Sequence, residues 1–282
     1  MLTKDDICCV IVSYNADSSI YNLINIIKIQ VGKIVIVDNS ETSANLAIAA
    51  KNIIVIENHK NLGIATALNQ GVAEAKKMGY THVLMFDQDS EPTYNIVSIL
   101  VEAYNAYQNK EKIGALGINF PAIKNKNFHQ TPGDLLYREK DYLITSGTLI
   151  PVTIWEQVGK FEDSYFIDNV DLEYSLKLRK NGKVSLITNK CGMKHDPGTP
   201  IEKMVLGMKV SSSNHNAFRR YYMARNHYLL SKKHLLTFPY FILKLNYFFF
   251  LSIIKIIMIE DYKKEKLKST FRGLRDAIFE KN

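Results

Sequence analysis

Four short apolar stretches in the first 90 residues decide the fold of this chain: residues 7–12 (ICCVIV), 34–37 (IVIV), 53–56 (IIVI) and 82–86 (HVLMF). They are rich in β-branched side chains, and polar side chains do not alternate with the apolar ones. Continuous apolar runs of this length are typical of strands buried on both faces, as in parallel sheets. The sequence therefore predicts four buried strands of one parallel sheet.

Helical patterns separate these strands. Asp17 or Ser18 can cap a helix that runs towards Gln30, and a short alanine-rich helix precedes the third strand. Residues 64–78 form a further helix, which Gly79 ends. Strands that alternate with helices predict an open α/β sheet with right-handed crossovers.

Five further elements are expected in chain order: a helix that opens near Pro92, an apolar segment over residues 113–120, a polar loop over 124–139, a strand over 142–150, and a helix over 171–180 that Gly182 terminates. No repeat or low-complexity tract interrupts them. Together they extend the predicted α/β architecture to about residue 200.

The charge of the chain is divided unevenly. Of 282 residues, 46% are apolar and 23% are charged, which is typical of a globular protein. Residues 1–200 carry 20 basic and 22 acidic groups, a net charge of −2, whereas residues 201–282 carry 16 and 6, a net charge of +10. This distribution argues against a protein built throughout for nucleic acid. We therefore expect one domain over residues 1–200, followed by a basic helical region over 201–282.

The N-terminal sequence and the cysteines indicate an intracellular protein. No secretory signal is recognisable at the start, because residues 1–6 are polar and the apolar stretch after them ends at Ser13. The chain has three cysteines, Cys8, Cys9 and Cys191. Cys8 and Cys9 are adjacent in an apolar run and cannot stabilise the fold through a disulfide with each other. The first 200 residues also lack an apolar run of the roughly 20 residues that span a bilayer.

Aspartates end two of the predicted strands. Ligands of open α/β sheets bind beyond the carboxyl ends of the strands, where Asp38 and Asp87 stand. Asp38 can bond a ribose or a base, or it can be a turn residue that caps the next helix. Asp87 and Asp89 flank Gln88, and two carboxylates at this spacing can share Mg²⁺ or Mn²⁺; the alternative is an acidic turn before a helix.

A second acidic cluster and a histidine follow. At helical spacing, Asp168 and Asp171 share a face, so one of them could act as a general base in a cleft. An N-terminal cap explains one or two of the carboxylates in this cluster, but it does not readily explain three. His195 comes after a strand and before a turn, and alone it would be an ordinary surface or core residue.

Taken together, these motifs resemble glycosyltransferase family 2, whose members are inverting nucleotide-sugar enzymes of the GT-A fold, and within it the bacterial rhamnosyltransferase-like branch. The resemblance covers about residues 7–230. It implies that residues 1–200 form a catalytic domain, with a donor half at about 1–120 and an acceptor half at about 121–200. Eight segments carry it: residues 10–15 (VIVSYN), 37–40 (VDNS), 58–63 (NHKNLG), 87–90 (DQDS), 146–150 (SGTLI), 166–173 (FIDNVDLE), 194–198 (KHDPG) and 221–226 (YYMARN).

The resemblance implies a role for each group of residues. The donor nucleotide would be held by Tyr14, Asn15, Asp38, Asn61, Gly63, Asp87 and Gln88. A divalent cation, Mg²⁺ or Mn²⁺, would be bound by Asp89 and His195. The acceptor or the leaving diphosphate would meet Ser146, Gly147, Glu173 and Arg225.

The resemblance also implies the catalytic base. Asp171 would take the proton from the acceptor hydroxyl as this attacks the anomeric carbon. Relatives often have two adjacent acids in this cluster, whereas here Asn169 and Val170 precede Asp171, so Asp168 is the alternative. The continuation from Leu172 to Tyr174 favours Asp171.

The donor and the acceptor are less defined. Gln88 and the segment 221–226 are similar to those of enzymes that use dTDP-L-rhamnose, and UDP-hexose and UDP-galactofuranose are the alternatives. The acceptor implied is a cell-surface glycan or a lipid-linked intermediate. Arg219, Arg220 and Arg225 could meet a diphosphate or such an acceptor, or they could form a solvated basic helix face.

The C-terminal region suggests membrane attachment. Residues 235–259 are rich in Phe, Ile and Leu, and Lys244 and Lys255 lie eleven residues apart, on one face of a helix. This suits a helix in the interface of an anionic membrane, on the cytoplasmic face in a bacterium. The alternatives are a helix that forms a homodimer and one that covers the catalytic domain.

Two other function classes fit part of the sequence. A buried strand that ends in Asp87-Gln88-Asp89 also resembles a haloacid-dehalogenase phosphatase site, although three strands precede it here. A nucleotide-binding membrane scaffold without activity is the second alternative. The intact set of Asp38, Asp87, Asp89, Asp171 and His195 argues against it.

Overall fold

The computed structural model describes residues 1–42, 51–120, 136–194, 200–205 and 207–279. The chain divides into two compact units. The first comprises Met1–Ser164 and Val170–His195, and the second comprises Tyr165–Asn169 and Asp196–Asn282. The second unit thus includes five residues from the middle of the chain, which composition alone does not indicate.

An eight-stranded sheet forms the centre of the first unit. Its strands are β1 (Ile7–Ser13), β2 (Lys33–Asp38), β3 (Ile53–Glu57), β4 (His82–Asp87), β6 (Ile113–Asn119), β7 (Tyr137–Glu139), β8 (Thr148–Pro151) and β9 (Val184–Cys191). Their order is β3-β2-β1-β4-β8-β6-β9-β7. The first four are mutually parallel, as predicted, and β6 is parallel to β9, whereas β8 is antiparallel to both of its neighbours and β7 is antiparallel to β9. The sheet is therefore mostly parallel.

Five helices flank this sheet: α1 (Ser19–Ile27), α2 (Ile64–Lys77), α3 (Ile96–Ala106), α4 (Val152–Val158) and α5 (Val170–Lys180). In α1, Ile20, Leu23, Ile24 and Ile27 follow helical spacing and are all buried. In α2, Gly71 lies so close to β1 that a Cβ atom there would stand 2.3 Å from Cγ1 of Val10. Gly71 thus lets α2 pack closely against β1, whereas α1 and α3 contribute to the main hydrophobic cluster with β1, β2 and β4.

Three expected elements differ in the structure. The helix expected near Pro92 begins only at Ile96, because Glu91–Pro92 forms a short strand, β5, that pairs with β10 (Met193–Lys194). The first helix ends at Ile27 instead of Gln30, whose side-chain amide donates to the carbonyls of Ile26 and Thr93.

The strand expected over residues 142–150 is confined to Thr148–Pro151. Gly147, immediately before it, has a φ of +76°, which breaks the extended conformation. The alanine-rich helix expected before β3 falls mostly on residues 43–50, outside the described residues. Most of the expected polar loop does so as well, and its end forms the strand Tyr137–Glu139.

The second unit contains a hairpin and three helices. The hairpin joins β11 (Ile201–Val205) to β12 (Met208–Ser212), and the helices are α6 (Ala217–His234), α7 (Pro239–Met258) and α8 (Lys263–Phe279). Helices α6 and α8 touch through their backbones, since a Cβ atom on Gly273 would stand 2.2 Å from the carbonyl oxygen of Tyr221. Only glycine permits this approach.

A buried ionic cluster ties the second unit together. The carboxylate of Glu260 accepts hydrogen bonds from Arg220, from the Lys266 ammonium at 3.0 Å and from the Ser212 hydroxyl. These cationic and hydroxyl partners hold the pKa of Glu260 below its usual value in spite of the burial that opposes this. The carboxylate is therefore charged, and it fixes α6 and α8 to the hairpin.

Helix α7 combines length with an apolar surface. Its 20 residues reach a mean hydropathy of 1.9 over an 18-residue window, and only 11% of that window is buried within the protein. Among the described residues it is the one helix long and apolar enough to cross a membrane, on length and composition alone.

Candidate donor-binding and catalytic site

The register of the sheet brings the predicted donor residues to one edge. Ser13 at the end of β1 pairs with Asp38 at the end of β2, and Val12 pairs with Asp87 at the end of β4. The carboxyl ends of three adjacent parallel strands therefore meet, which is the position where open α/β sheets bind ligands.

Asp38 is held on one oxygen only. Its Oδ1 accepts hydrogen bonds from the Ser13 hydroxyl at 3.0 Å, the Ser40 hydroxyl at 2.6 Å and the Ser40 amide at 3.2 Å. Within the described part of the chain, no residue donates a hydrogen bond to Oδ2. The carboxylate is therefore fixed in orientation, with an acceptor oxygen left for a ligand that carries N–H or O–H groups.

A network of amides positions the start of α2 beside Asp38. Asn39 donates from its side chain to the Gly63 carbonyl at 3.1 Å and accepts from Asn58 at 2.8 Å. Asn61 accepts from the Gly63 amide at 3.0 Å, and Gly63 has a φ of +84°. Gly63 thus allows the sharp turn into α2, whose N-terminus carries no acidic side chain and can meet negative charge.

The segment after β4 forms a turn that reaches back to β1. The Ser90 amide donates to the Asp87 carbonyl at 3.1 Å, which closes the turn. The side chain of Gln88 accepts a hydrogen bond from the Tyr14 amide at 2.7 Å, and the Asn15 amide donates to the Ser40 hydroxyl at 2.7 Å. The predicted donor residues on three segments are therefore connected through hydrogen bonds.

The predicted metal site is described only in part. Asp87 is half-buried and Asp89 is exposed, so the turn presents two carboxylates near its tip. Within the described residues, His, Cys, Asp and Glu side chains form no group of three that could hold a metal ion. The predicted ligand His195 lies outside the described residues.

Ser146 and Gly147 stand next to the same turn. The hydroxyls of Ser146 and Ser90 are 2.5 Å apart. The Gly147 amide donates to the Met85 carbonyl at 2.8 Å, and a Cβ atom at Gly147 would stand 2.5 Å from Cγ2 of Ile118. A side chain at position 147 would therefore clash with Ile118, so only glycine fits there. The hydrogen bond from Gly147 to Met85 holds the neighbouring Ser146 beside the turn that follows β4.

Helix α5 carries two of the predicted acidic residues in its first turn. Asp171 is half-buried, and its Oδ1 accepts from the Leu172 amide at 2.8 Å. Glu173 is fully buried, 3.3 Å from the ammonium of Lys177, and presents no surface to a ligand. The two carboxylates of this turn thus differ sharply in their access to solvent.

Asp168 does not share a helical face with Asp171, contrary to the expectation from spacing. It precedes α5 and has a φ of +66°, and Asn169 has a φ of +62°. Two consecutive non-glycine residues in the left-handed region need strong local contacts to hold them.

The second unit supplies those contacts. Arg219 donates three hydrogen bonds of 2.9–3.1 Å to both oxygens of Asp168. Asn226 donates from its side chain to the carbonyls of Ile167 at 2.7 Å and Asp168 at 3.0 Å. Phe166 stacks on Tyr222 with ring centres 5.0 Å apart. We call residues 165–169 with Arg219, Tyr222 and Asn226 the loop clamp.

The loop clamp gives the YYMARN segment a structural role that sequence reasoning missed. Arg225, predicted to meet the acceptor or a diphosphate, is half-buried and donates to the side chain of Asn226 at 3.0 Å. Ser13 and Asn58 lie in two of the segments that carry the resemblance, but no role was predicted for either, because serines and asparagines near strand ends are common in turns.

Solved structures share the fold at low sequence identity. A structure of S. aureus TarS 1–349 matches 97% of this chain and 72% of its own length, with 13% identity and a TM-score of 0.53. GalNAc-T7, solved with UDP, GalNAc and Mn²⁺, matches 82% of this chain and 48% of its own length, with 15% identity and a TM-score of 0.57. These likenesses confirm the predicted GT-A fold.

The sequence comparisons are more specific. A dTDP-rhamnosyl transferase of Shigella flexneri, RfbF, is 29% identical over 248 residues, which cover 82% of this chain and 81% of that protein. The model of glycosyl transferase family 2 matches residues 8–156, more than half of the chain and nearly all of the edge described above. The chain is therefore a member of glycosyl transferase family 2.

Proposed function

We propose that this glycosyltransferase moves L-rhamnose from dTDP-L-rhamnose to a hydroxyl of a cell-surface glycan or a lipid-linked intermediate, with inversion at the anomeric carbon. The observation that carries the proposal is Asp38, which ends β2 at the same sheet edge as the Asp87–Ser90 turn and whose Oδ2 accepts no hydrogen bond from the described residues. The name of the S. flexneri relative supports the choice of donor.

A UDP-sugar is the alternative donor, with the same fold and mechanism. S. aureus TarS 1–349 has been solved in complex with UDP and with UDP-GlcNAc. Thymine and uracil present the same N3–H and carbonyl edge, so Asp38 would serve either nucleotide.

The residues around Asp38 would bind the nucleotide in the following way. Asp38 Oδ2 accepts a hydrogen bond from the base or the ribose, and Asp87 meets the ribose. The start of α2, which Asn61 and Gly63 shape, lies close to the nucleotide and offers the positive end of the helix dipole to the diphosphate. Tyr14, Asn15 and Gln88 close the site around the donor.

The donor set of the Asp87–Ser90 turn fits a hard divalent cation. Asp89 would hold Mg²⁺ or Mn²⁺ through oxygen, with Asp87 at or near the ion and His195 as a further ligand. When bound, such an ion stabilises the negative charge of the departing diphosphate.

Asp171 is the proposed general base. It takes the proton of the acceptor hydroxyl while the oxygen attacks the anomeric carbon from the face opposite the diphosphate. Both oxygens of Asp168 already accept hydrogen bonds from Arg219, which favours Asp171 over Asp168 for this role. Ser146 lies beside the donor turn, where it can orient the acceptor or the diphosphate.

The second unit would attach the enzyme to the cytoplasmic face of an anionic membrane in a bacterium. Helix α7 exposes seven large apolar side chains: Tyr240, Leu243, Tyr247, Phe248, Phe250, Ile257 and Met258. The region after residue 200 carries the whole basic excess of the chain. An apolar face with basic surroundings favours a position in the membrane interface, near a lipid-linked acceptor.

A panel of donors tests the proposed reaction. Purified protein with Mg²⁺ or Mn²⁺ is titrated calorimetrically with dTDP-L-rhamnose, UDP-glucose, UDP-GlcNAc and UDP-galactofuranose. We expect the tightest binding and the fastest nucleotide release with dTDP-L-rhamnose. A preference of tenfold or more for a UDP-sugar would replace rhamnose as the donor.

A further inference from the structure

The second unit contains a cavity of about 210 Å³ that the proposed reaction does not use. Seven of its nine lining residues have polar or cationic side chains, and none of the nine has a carboxylate. The lining residues are Pro200, Ser211, Ser212, Ser213, His215, Arg220, Met223, Ser252 and Lys255. We call this cavity the serine-lysine pocket.

The cations around the serine-lysine pocket outnumber the anions. Arg220 and Lys266 are both almost fully buried, and they share the single carboxylate of Glu260. One positive charge of this trio therefore has no counter-charge within it. A buried excess charge of this kind is costly unless an anion approaches it.

Lys255 adds a second positive charge. It is half-buried in the wall of the pocket. Among the described residues, none forms an ion pair or a hydrogen bond with its ammonium. The ammonium of Lys255 therefore stands at the pocket without a counter-charge among the described residues. The ammonium of an exposed lysine on the same helix would instead be fully solvated.

Hydroxyl groups complete the lining. Ser212 donates to Glu260 and Ser252 donates to the Phe249 carbonyl, while the hydroxyls of Ser211 and Ser213 have no partner in the described part of the chain. Burial first, and then the neighbouring Arg219, lower the pKa of His215. Its neutral ring retains one N–H donor and one acceptor nitrogen.

We propose that the serine-lysine pocket binds a phosphate group, carried either by a lipid headgroup or by a soluble phosphate. Several cationic and hydroxyl donors around one small space match the several acceptor oxygens of a phosphate. Ser252 and Lys255 belong to α7, which also carries the exposed apolar side chains, so a lipid could place its headgroup in the pocket. This inference does not depend on the donor or on the transfer reaction.

The soluble arm of the test measures binding of inorganic phosphate and pyrophosphate to the full chain by calorimetry, in buffer with a metal chelator. The variant is Lys255→Met, and the matched control is Lys244→Met, which removes the same charge from an exposed position of the same helix. A lost charge-assisted hydrogen bond typically weakens binding about tenfold or more. We expect this loss for Lys255→Met and less than a twofold change for Lys244→Met.

The lipid arm compares phosphatidylcholine vesicles that contain phosphatidic acid with vesicles that contain oleate at the same surface charge. We expect the full chain to bind phosphatidic acid vesicles at least fivefold more tightly and to lose this preference in Lys255→Met. Lys255→Arg retains the charge, so it should keep the preference for phosphatidic acid vesicles. It also provides a second variant for the comparison if Lys255→Met folds poorly.

The two arms identify the source of the phosphate. Lys255-dependent binding of the soluble ions alone identifies a soluble phosphate, and Lys255-dependent preference for phosphatidic acid identifies a lipid. The proposal is overturned if neither arm depends on Lys255, or if both lysine variants reduce binding equally, because a diffuse basic surface would then explain the attraction.

Discussion

At the residue scale, Asp171 in the first turn of α5 is the proposed general base. A base that acts only in the transfer step should affect turnover and not donor binding. The change Asp171→Asn keeps the shape of the side chain but removes the proton acceptor. General-base catalysis typically contributes 10²–10⁴-fold to a rate. We expect turnover to fall by about this factor while the dissociation constant of the donor changes less than twofold.

Single-turnover transfer and donor calorimetry measure the two effects. Asp168→Asn is the comparison, because it perturbs the loop without removing the proposed base. If Asp171→Asn loses donor binding, or if Asp168→Asn is the more damaging change for turnover, the assignment of the base is wrong.

His82 makes stability depend on pH in the first unit. Burial lowers the pKa of His82 to about 4, although Asp6 opposes this shift, and among the described residues its Nε2 has no hydrogen-bond partner. The unfolded chain takes up the proton near pH 6.5. Neutral His82 therefore makes its full contribution to the free energy of unfolding above about pH 6.5, and this contribution is lost as the pH falls towards 4.

The size of this loss follows from the pKa shift of His82. It corresponds to a decrease on the order of 3 kcal/mol in the free energy of unfolding. Urea unfolding at pH 7 and pH 4.5 measures it. We expect the wild-type protein to lose more stability than His82→Gln over this interval. Equal losses would show that His82 does not titrate as its burial indicates.

The sequence predicted the positions of individual residues where one rule governs them. Asp38, Asp87 and Gly63 follow strands or open a helix, so the topology alone brings them together. Asp168 follows no such rule. Its left-handed backbone and its bond to Arg219, 51 residues later, depend on a fold that local spacing cannot express.

At the element scale, the loop clamp connects α6 to the segment that leads into Asp171. The three hydrogen bonds from Arg219 to Asp168 require a planar, bidentate donor. Arg219→Lys retains the charge but not this geometry. We expect turnover to fall about tenfold or more, with little change in donor affinity, because the loop ends two residues before Asp171.

A kcat measurement with donor calorimetry tests this positioning role. Arg275→Lys on α8 is the control, since Arg275 also bonds a carboxylate but lies on the exposed surface. A fall in donor affinity equal to the fall in kcat, or an equal effect of the two changes, would contradict the role of the clamp.

The predicted elements differ from the structure where long-range strand pairing overrides a local preference. Proline favours the first turn of a helix, but Pro92 pairs with Met193 across the first unit. The strands β1 to β4 were predictable because their burial on both faces leaves a continuous apolar run, whereas β8 is short and follows the turn at Gly147.

At the scale of the whole molecule, the basic excess and the apolar helix belong to one unit. Truncation before α7 would remove Glu260 and Lys266, and with them the ionic cluster that joins α6 and α8 to the hairpin, so it would disrupt the second unit. Surface substitutions are therefore the sharper test of membrane attachment.

The combined change Leu243→Ser, Tyr247→Ser and Phe250→Ser removes three exposed apolar side chains from α7. We expect sedimentation with phosphatidylglycerol vesicles to weaken at least tenfold, because interfacial binding scales with the apolar area buried. Phe271→Ser, an exposed aromatic on α8, should have little effect. Unchanged sedimentation of the triple variant would contradict a membrane role for this face.

Membership of glycosyl transferase family 2 also resolves the competing enzyme class. The phosphatase alternative rested on Asp87-Gln88-Asp89 alone. Gln88 accepts a hydrogen bond from the Tyr14 amide, and Asp38 lies on the same sheet edge, so the motif is part of the edge where we propose that the donor binds.

The proposed donor site is tested most directly by calorimetric titration of dTDP-L-rhamnose, with Mn²⁺, into the wild-type protein and Asp38→Asn. Asparagine at this position replaces the charged acceptor, and charge-assisted hydrogen bonds typically contribute roughly 1.5–3 kcal/mol. We expect a measurable affinity in the wild-type protein and a loss of about tenfold or more in Asp38→Asn. Equal affinities in the two proteins, or no binding in either, would contradict the proposed donor site.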